Sequence, residues 1–379
     1  MIRAFSCIGR RNLKALCLSL GIIFLGAEAI ISLKGESILL PKNSLPAPPR
    51  PTGLVFDHVY LKHLSGNTGH PERPERLLAI WSALDKTGML RTLYRIRPRR
   101  VTEEELELVH TPEYVAQVRQ QLSDLNGVRQ LSTGDTLCSH DSLEAAEFAA
   151  GGVLSAVDAV LDGRIKNAFA PVRPPGHHAT PTRGMGFCIF NNVAIAARYL
   201  QRVHGLQRVL IVDWDYHHGN GTQDTFYEDG SVFYFSTHHY GAYPRTGSAE
   251  ESGSGKGAGK IKNVPLPVGA SDAQILAAFE TQLVPAARAF KPDFILISAG
   301  FDPMRNDLLG QFDITPQGFG AITRVVVRLA EELCQGRVVS VLEGGYRLEG
   351  LADSALAHVR ALRGEPPPVR VPTRFVPGF

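Results

Sequence analysis

Acids and imidazoles crowd the stretch VLIVDWDYHHGNG, where an apolar run ends in Asp213, Asp215, His217 and His218. Side chains alternate along extended backbone, which puts Asp213, Asp215 and His217 on one side and Trp214, Tyr216 and His218 on the other. A carboxylate and an imidazole two residues apart make a pair of metal ligands, and Asp302 in AGFDP can supply another from a second strand end. Three protein donors leave a position for water and substrate, the arrangement of a catalytic rather than a structural metal. For Asp215 and His217 alone, the competing interpretation is a buried ion pair. His177 and His178 follow Pro174-Pro175-Gly176, and an imidazole pair behind a rigid turn points to a positioned base. Asp213, nearer the strand, can orient one of the ligands. Tyr346 follows two glycines, so its backbone can approach a pocket closely; a core tyrosine is the competing interpretation there.

Positioning such groups needs rigid strands. Apolar β-rich runs alternate with helical patterns along the chain. GLVF, NAFAPV, RVLIV, VFYFS, FILIS and RVVSVL are expected as strands. Helices are expected over Glu72–Leu90, from the capping box at Thr102, from Pro112, and over Ser142–Leu161. Further helices are expected over Asn191–Leu200, Ser271–Phe290 and Pro316–Leu333. The alternation predicts an α/β fold with a mostly parallel sheet sandwiched by helices. His177 and His178, the acids after RVLIV, Asp302 and Tyr346 all follow strands. Ligands of open parallel sheets bind at the carboxyl ends of the strands, so the four clusters should converge. GSGKGAGK is no phosphate loop, because no Ser or Thr follows Lys260 and it joins no strand to a helix. A flexible surface loop is expected there.

The chain has 379 residues and a formal net charge of +3, which gives no basis for direct nucleic-acid binding. Its five cysteines form no CxxC pair, which argues against a disulfide framework. Arg3, Arg10, Arg11 and Lys14 precede an apolar run over 15–27, followed by Ala27-Glu28-Ala29. Three interpretations stand: an exported chain with a cleaved signal peptide, an anchor holding a cytoplasmic catalytic domain, or a start placed too early. Any membrane contact would come through residues 15–27. The expected organisation is a leader over 1–30, a Pro-rich linker over 31–52, a catalytic domain over 53–365 and a tail over 366–379.

RPPGHHA, GMGFCIFNN, VLIVDWDYHHGNGTQ, SAGFD and EGGY occur in this order. Together they make the chain similar to the histone deacetylase and acetylpolyamine amidohydrolase family, nearer its class II branch and bacterial relatives. The resemblance spans roughly Gly53 to Leu362 and implies an arginase–deacetylase-like single domain. It implies one catalytic zinc on Asp215, His217 and Asp302, with His178 as general base and acid. His177, paired with Asp213, would be its electrostatic partner, and Tyr346 would hydrogen-bond the acetyl carbonyl. Gly186, Phe187 and Tyr243 would line the acyl-lysine channel, and Asp135 would hold the substrate backbone at the rim. A structural potassium ion would take Asp213, Asp215, His217, Ser236 and Thr237. Asn220 stands where many relatives have an aspartate beside the second histidine, so His178 should be less basic here. Leu308-Leu309 stands where polyamine-selective relatives place a glutamate.

The implied reaction is hydrolysis of acetyl-lysine amides in proteins, giving acetate and a free amine. An acetylated small amine such as a polyamine is the alternative substrate. Two rivals remain: a two-manganese ureohydrolase of the same fold, and a metal-bound but inactive reader of acyl-lysine. Intact His177, His178 and Tyr346 weigh against the second. Cys188, beside the channel, is expected as a small buried hydrophobe.

Overall fold

The structure is a computed structural model that describes residues 22–25, 28–33, 36–40, 50–67 and 69–367. It divides into two units, residues 1–49 and residues 50–379. In the first, β1 (Ile22–Leu25), β2 (Glu28–Leu33) and β3 (Glu36–Leu40) form an antiparallel meander. The stretch 31–52 therefore opens with paired strand rather than linker. EAIISL and ESILL are β-branched apolar runs separated by Lys34-Gly35, a hairpin signal that the later prolines mask. Most of the leader, the proline-rich 41–49 and the tail beyond residue 367 lie outside the described residues. Among the described residues no helix is long and apolar enough to cross a membrane.

The second unit adds β4 (Thr52–Val55), β5 (Tyr94–Ile96), the short hairpin β6 (Arg129–Gln130) and β7 (Leu137–Cys138), and β8 (Asn167–Ala170). Then come β9 (Val209–Asp213), β10 (Val232–His238), β11 (Ile261–Pro265), β12 (Phe294–Ala299) and β13 (Val338–Leu342). Eight of these form one sheet in the order β11-β10-β9-β12-β13-β8-β4-β5, every neighbouring pair parallel. Every residue of β8, β9, β10, β12 and β13 is buried, as strands covered on both faces must be. Helix Ser142–Leu161 packs with Asn192–Arg202, while Leu348–Leu362 packs with both Pro316–Leu333 and Glu75–Lys86. These two helix packs sandwich the sheet.

Two helix expectations shift. The helix expected over Glu72–Leu90 runs over Glu75–Lys86, because Pro74 occupies its N-cap and Gly88 (φ 70°) breaks away beyond its end. The helix expected over Ser271–Phe290 is interrupted by a π turn at Phe279–Leu283 between Asp272–Ala278 and Val284–Phe290. Pro285 has no N–H to offer the Thr281 carbonyl, so the ladder widens just before it. The Gly253–Lys260 loop is tied down: Ser254 N–H donates to Tyr227 O and Gly259 N–H to Ser252 O, both at 2.8 Å. Strands β5 and β11, helix Asn220–Phe226 and helix Leu348–Leu362 had no counterpart among the expected elements.

Candidate active site

The four strands that precede the chemical clusters are contiguous at the centre of the sheet, in the order β9-β12-β13-β8. Asp215 and His217 after β9, Asp302 after β12, His177 and His178 after β8, and Tyr346 after β13 are thereby gathered at one end.

The turn after β9 is built by its own carboxylates. Asp213 Oδ1 accepts the Asp215 N–H at 3.1 Å, and Asp215 Oδ1 accepts the His217 N–H at 2.8 Å. These are successive aspartate turns, each bonding the backbone two residues on. They set Asp215 and His217 toward Asp302, and donor atoms of all three lie within 4.8 Å of one another. His217 Nδ1 is 3.1 Å from Asp215 Oδ1 and 2.9 Å from Asp302 Oδ2. The outer oxygens are held too: Gly344 N–H donates to Asp215 Oδ2 at 2.8 Å and Tyr216 N–H to Asp302 Oδ1 at 2.9 Å. A Cβ at residue 344 would collide with both carboxylates, so only glycine brings its N–H this close.

Electrostatics mark this cluster as a place for positive charge. Burial and the neighbouring Asp215 push the Asp302 carboxyl up to about 7. Burial opposes ionisation of His217, but the two carboxylates outweigh it and raise the imidazole to about 10. Two buried carboxylates and an imidazole suit a divalent ion of zinc type in ligand number and kind. Among the described residues this is the one group of three or more such donors, so a two-metal centre has no second set.

Asp213 holds the candidate ligand Asp215 through the Asp215 N–H and also makes the pairing with His177 that the resemblance implied. Its Oδ2 pairs with His177 Nδ1 at 3.0 Å and accepts the Tyr234 hydroxyl at 2.9 Å. Burial would depress His177, but Asp213, Asp215 and Glu343 overcome it and raise the imidazole to about 10. His178 pairs through Nδ1 with Asn220 Oδ1 at 2.9 Å. Burial, with the charges of His177 and His217 added, drives its pKa well below the ordinary histidine value. His218, on the opposite side as expected, bonds Thr246 and Gln223 at 2.8 and 3.1 Å.

Tyr346 is buried, its ring edge-on to Phe187 at 5.9 Å and beneath the Arg76 guanidinium at 5.0 Å. Burial raises its hydroxyl well above the usual tyrosine range, so it stays protonated as a donor at neutral pH. Tyr243 packs edge-on against His178 at 5.1 Å. Gly186, at φ 56°, lies where a Cβ would strike the His178 and Tyr243 rings. The rim carboxylate of Asp135 is exposed and bonds Gly186 N–H at 2.8 Å and the Tyr243 hydroxyl at 2.9 Å. Asp135, Gly186 and Tyr243 thus lie together beside His178, and Phe187, next in sequence to Gly186, carries the contact on to Tyr346. Leu308 and Leu309 are exposed and carry no charge. Cys188 is buried with a free thiol that burial pushes well above its usual range.

Glu343 escaped the sequence analysis, although it opens the EGGY motif. Its Oε2 accepts the Gly176 and His177 N–H groups at 2.7 and 3.1 Å, and its Oε1 accepts the Ser298 hydroxyl at 3.0 Å. It clamps the histidine turn to β12 and β13. Also unforeseen is a buried cluster in which Glu72 pairs with Arg76 and Arg173. Arg76 donates onward to the Gly345 and Glu343 carbonyls at 2.6 and 2.5 Å, bracing the segment before Tyr346.

The histone deacetylase domain, as a family model, matches residues 70–362. The chain belongs to the histone deacetylase family. This family member is 44% identical over 335 residues to Histone deacetylase 15 of Arabidopsis thaliana, covering 86% of this chain and 59% of that protein. It is 40% identical over 330 residues to a "Probable deacetylase" of Archaeoglobus fulgidus, covering 86% of this chain and 90% of that one. Polyamine deacetylase HDAC10 of Homo sapiens is 45% identical over 306 residues, 78% of this chain and 45% of its own length. The chain thus spans little more than half of the plant protein and less than half of the human one. The crystal structure of the HDA15 HD domain superposes with a TM-score of 0.78 at 42% identity, over 84% of this chain and 91% of that chain. The parallel sheet sandwiched by helices is the arginase–deacetylase-like single domain of this family.

Proposed function

We propose that this histone deacetylase domain hydrolyses the acetyl amide of acetyl-lysine in proteins, with one zinc ion as cofactor. The observation that carries the proposal is the juxtaposition of the Asp215–His217–Asp302 donor set with His178, whose ring lies 6.1 Å from that of His217, and with Tyr346, two residues beyond the Gly344 N–H that bonds Asp215. Asp215, His217 and Asp302 would hold the zinc. When bound, zinc polarises an amide carbonyl and makes water more acidic.

The protein's own groups perform the rest. Asn220 Oδ1 accepts from His178 Nδ1, which fixes the proton there and leaves Nε2 with its lone pair outward. His178, kept neutral by its surroundings, takes a proton from water as the water oxygen bonds to the acetyl carbon. The Tyr346 hydroxyl donates to the oxygen on which charge develops. His178 then returns the proton to the lysine nitrogen as the carbon–nitrogen bond breaks, giving acetate and free lysine. His177, protonated against Asp213, supplies fixed positive charge beside this oxygen and nitrogen chemistry. Asp135 retains free lone pairs for substrate backbone N–H groups. Asp213, Asp215, His217, Ser236 and Thr237 are assigned to a structural potassium ion. Supporting this, Asp213 and Ser236 are register partners, and the buried Thr237 hydroxyl has no hydrogen-bond partner.

The uncharged Leu308-Leu309 favours acyl-lysine over acetylpolyamines, because the neighbouring carboxylate, Asp307, is already engaged by three backbone N–H groups. The test is kcat/KM of the purified protein on acetyl-lysine peptides and on N-acetylated polyamines. Higher values on the peptides are expected; preference for the polyamines would overturn the substrate assignment.

Asn220 yields a pH prediction. Replacing it with Asp puts a negative charge on the partner of His178 Nδ1 and stabilises the imidazolium. The base must be neutral to act, so a raised pKa moves the acid limb of kcat/KM to higher pH, by about one unit. An unmoved or lowered limb at equal metal content would remove Asn220 from this role.

A further inference from the structure

Asp307 joins two loops at the mouth of the site. Its Oδ2 accepts the backbone N–H groups of Tyr346 at 2.7 Å and Arg347 at 2.9 Å. Its Oδ1 accepts the Leu309 N–H at 3.0 Å. Helix Leu348–Leu362 starts beside Arg347, whose side chain makes no cap bond, so a carboxylate from another loop serves the N–H groups at its entrance. Tyr346 needs such a restraint. The preceding Gly345 sits at φ 110°, a conformation that leaves the backbone permissive. On the amino side the segment is pinned by Gly344 N–H on Asp215; on the carboxyl side it is pinned by Asp307.

We propose that Asp307 is a positioning residue for Tyr346, holding the tyrosine's backbone so that its hydroxyl meets the substrate carbonyl, and tying it to the Leu308-Leu309 rim. This rests on the role given to Tyr346 above. Small misplacements of a catalytic group are costly, so loss of the carboxylate should act on turnover more than on binding.

The experiment is a double-mutant cycle on the full chain: Asp307→Ala and Asp307→Asn, each alone and with Tyr346→Phe. Steady-state kinetics, bound metal and melting temperature are measured on all variants. Asp307→Ala should lower kcat on the order of tenfold, with KM and metal content held. In the Tyr346→Phe background it should cause no further loss, because the group it positions is gone. Asp307→Asn should recover most of kcat, since an amide oxygen can accept from Tyr346 and Arg347. An additive loss in the Tyr346→Phe background, a loss of metal that tracks kcat, or an Asn variant as slow as the Ala variant would overturn the proposal. Wild-type turnover by Tyr346→Phe itself would instead overturn the tyrosine's role, and the positioning claim with it.

Discussion

On the proposed reading, Asp302→Ala and His217→Ala should each abolish stoichiometric metal binding and, with it, deacetylation. Each variant leaves two donors where three lay within 4.8 Å. Two protein donors are fewer than either structural or catalytic zinc sites use. The fold should survive. Asp302→Ala removes the bonds to the Tyr216 N–H and the His217 ring but leaves the surrounding strands intact. His217 is half-buried and stands outside the apolar core. The measurements are metal content after dialysis, turnover and circular dichroism. Native-like dichroism with no metal and no turnover is expected. A His217→Ala protein that retains full metal occupancy would show that other residues hold the ion.

Tyr346→Phe should keep the metal and lose turnover. In the proposed reaction the hydroxyl donates to the oxygen on which charge develops, and removing one such donor costs about 10² to 10³ in rate. The ring's contacts with Phe187 and Arg76 remain in the variant, so packing is preserved. KM should change far less than kcat, because the interaction strengthens as the reaction proceeds. Near wild-type kcat would mean that the carbonyl is polarised without the tyrosine.

Much of this site is legible in sequence, for a physical reason. Parallel strands buried on both faces read as continuous apolar runs, so VLIVD, FILISA and VVSVL announce themselves. Their carboxyl ends are then where polar clusters must lie. Edge strands are harder. β5 is three residues long with only Ile96 buried, and β11 follows a glycine-rich loop that draws attention away from it.

From alternation and turn chemistry, side-chain partners are legible only where they are local. The bonds from Asp213 to Asp215 and from Asp215 to His217 span two residues and follow from aspartate-turn chemistry. The partner of the Asp213 Oδ2 is His177, 36 positions away, a pairing that the family resemblance implied and that alternation alone does not reach. Glu343 reaches the His177 N–H across 166 positions, and Asp135 reaches the Gly186 N–H across 51. Such pairs become visible only once β8 and β13 are adjacent, or once the rim loops are folded onto the channel. Asp307 carries no periodic or motif signal, and its three backbone partners lie in two different loops.

The central claim is that Asp215, His217 and Asp302 bind one zinc ion on which hydrolysis of an acetyl-lysine amide depends. Titrating the metal-free protein with zinc, while following release of acetate from an acetyl-lysine peptide, tests it most directly. Turnover should rise in proportion to added zinc and level off at one equivalent per chain. Undiminished acetate release from protein stripped of metal would contradict the claim.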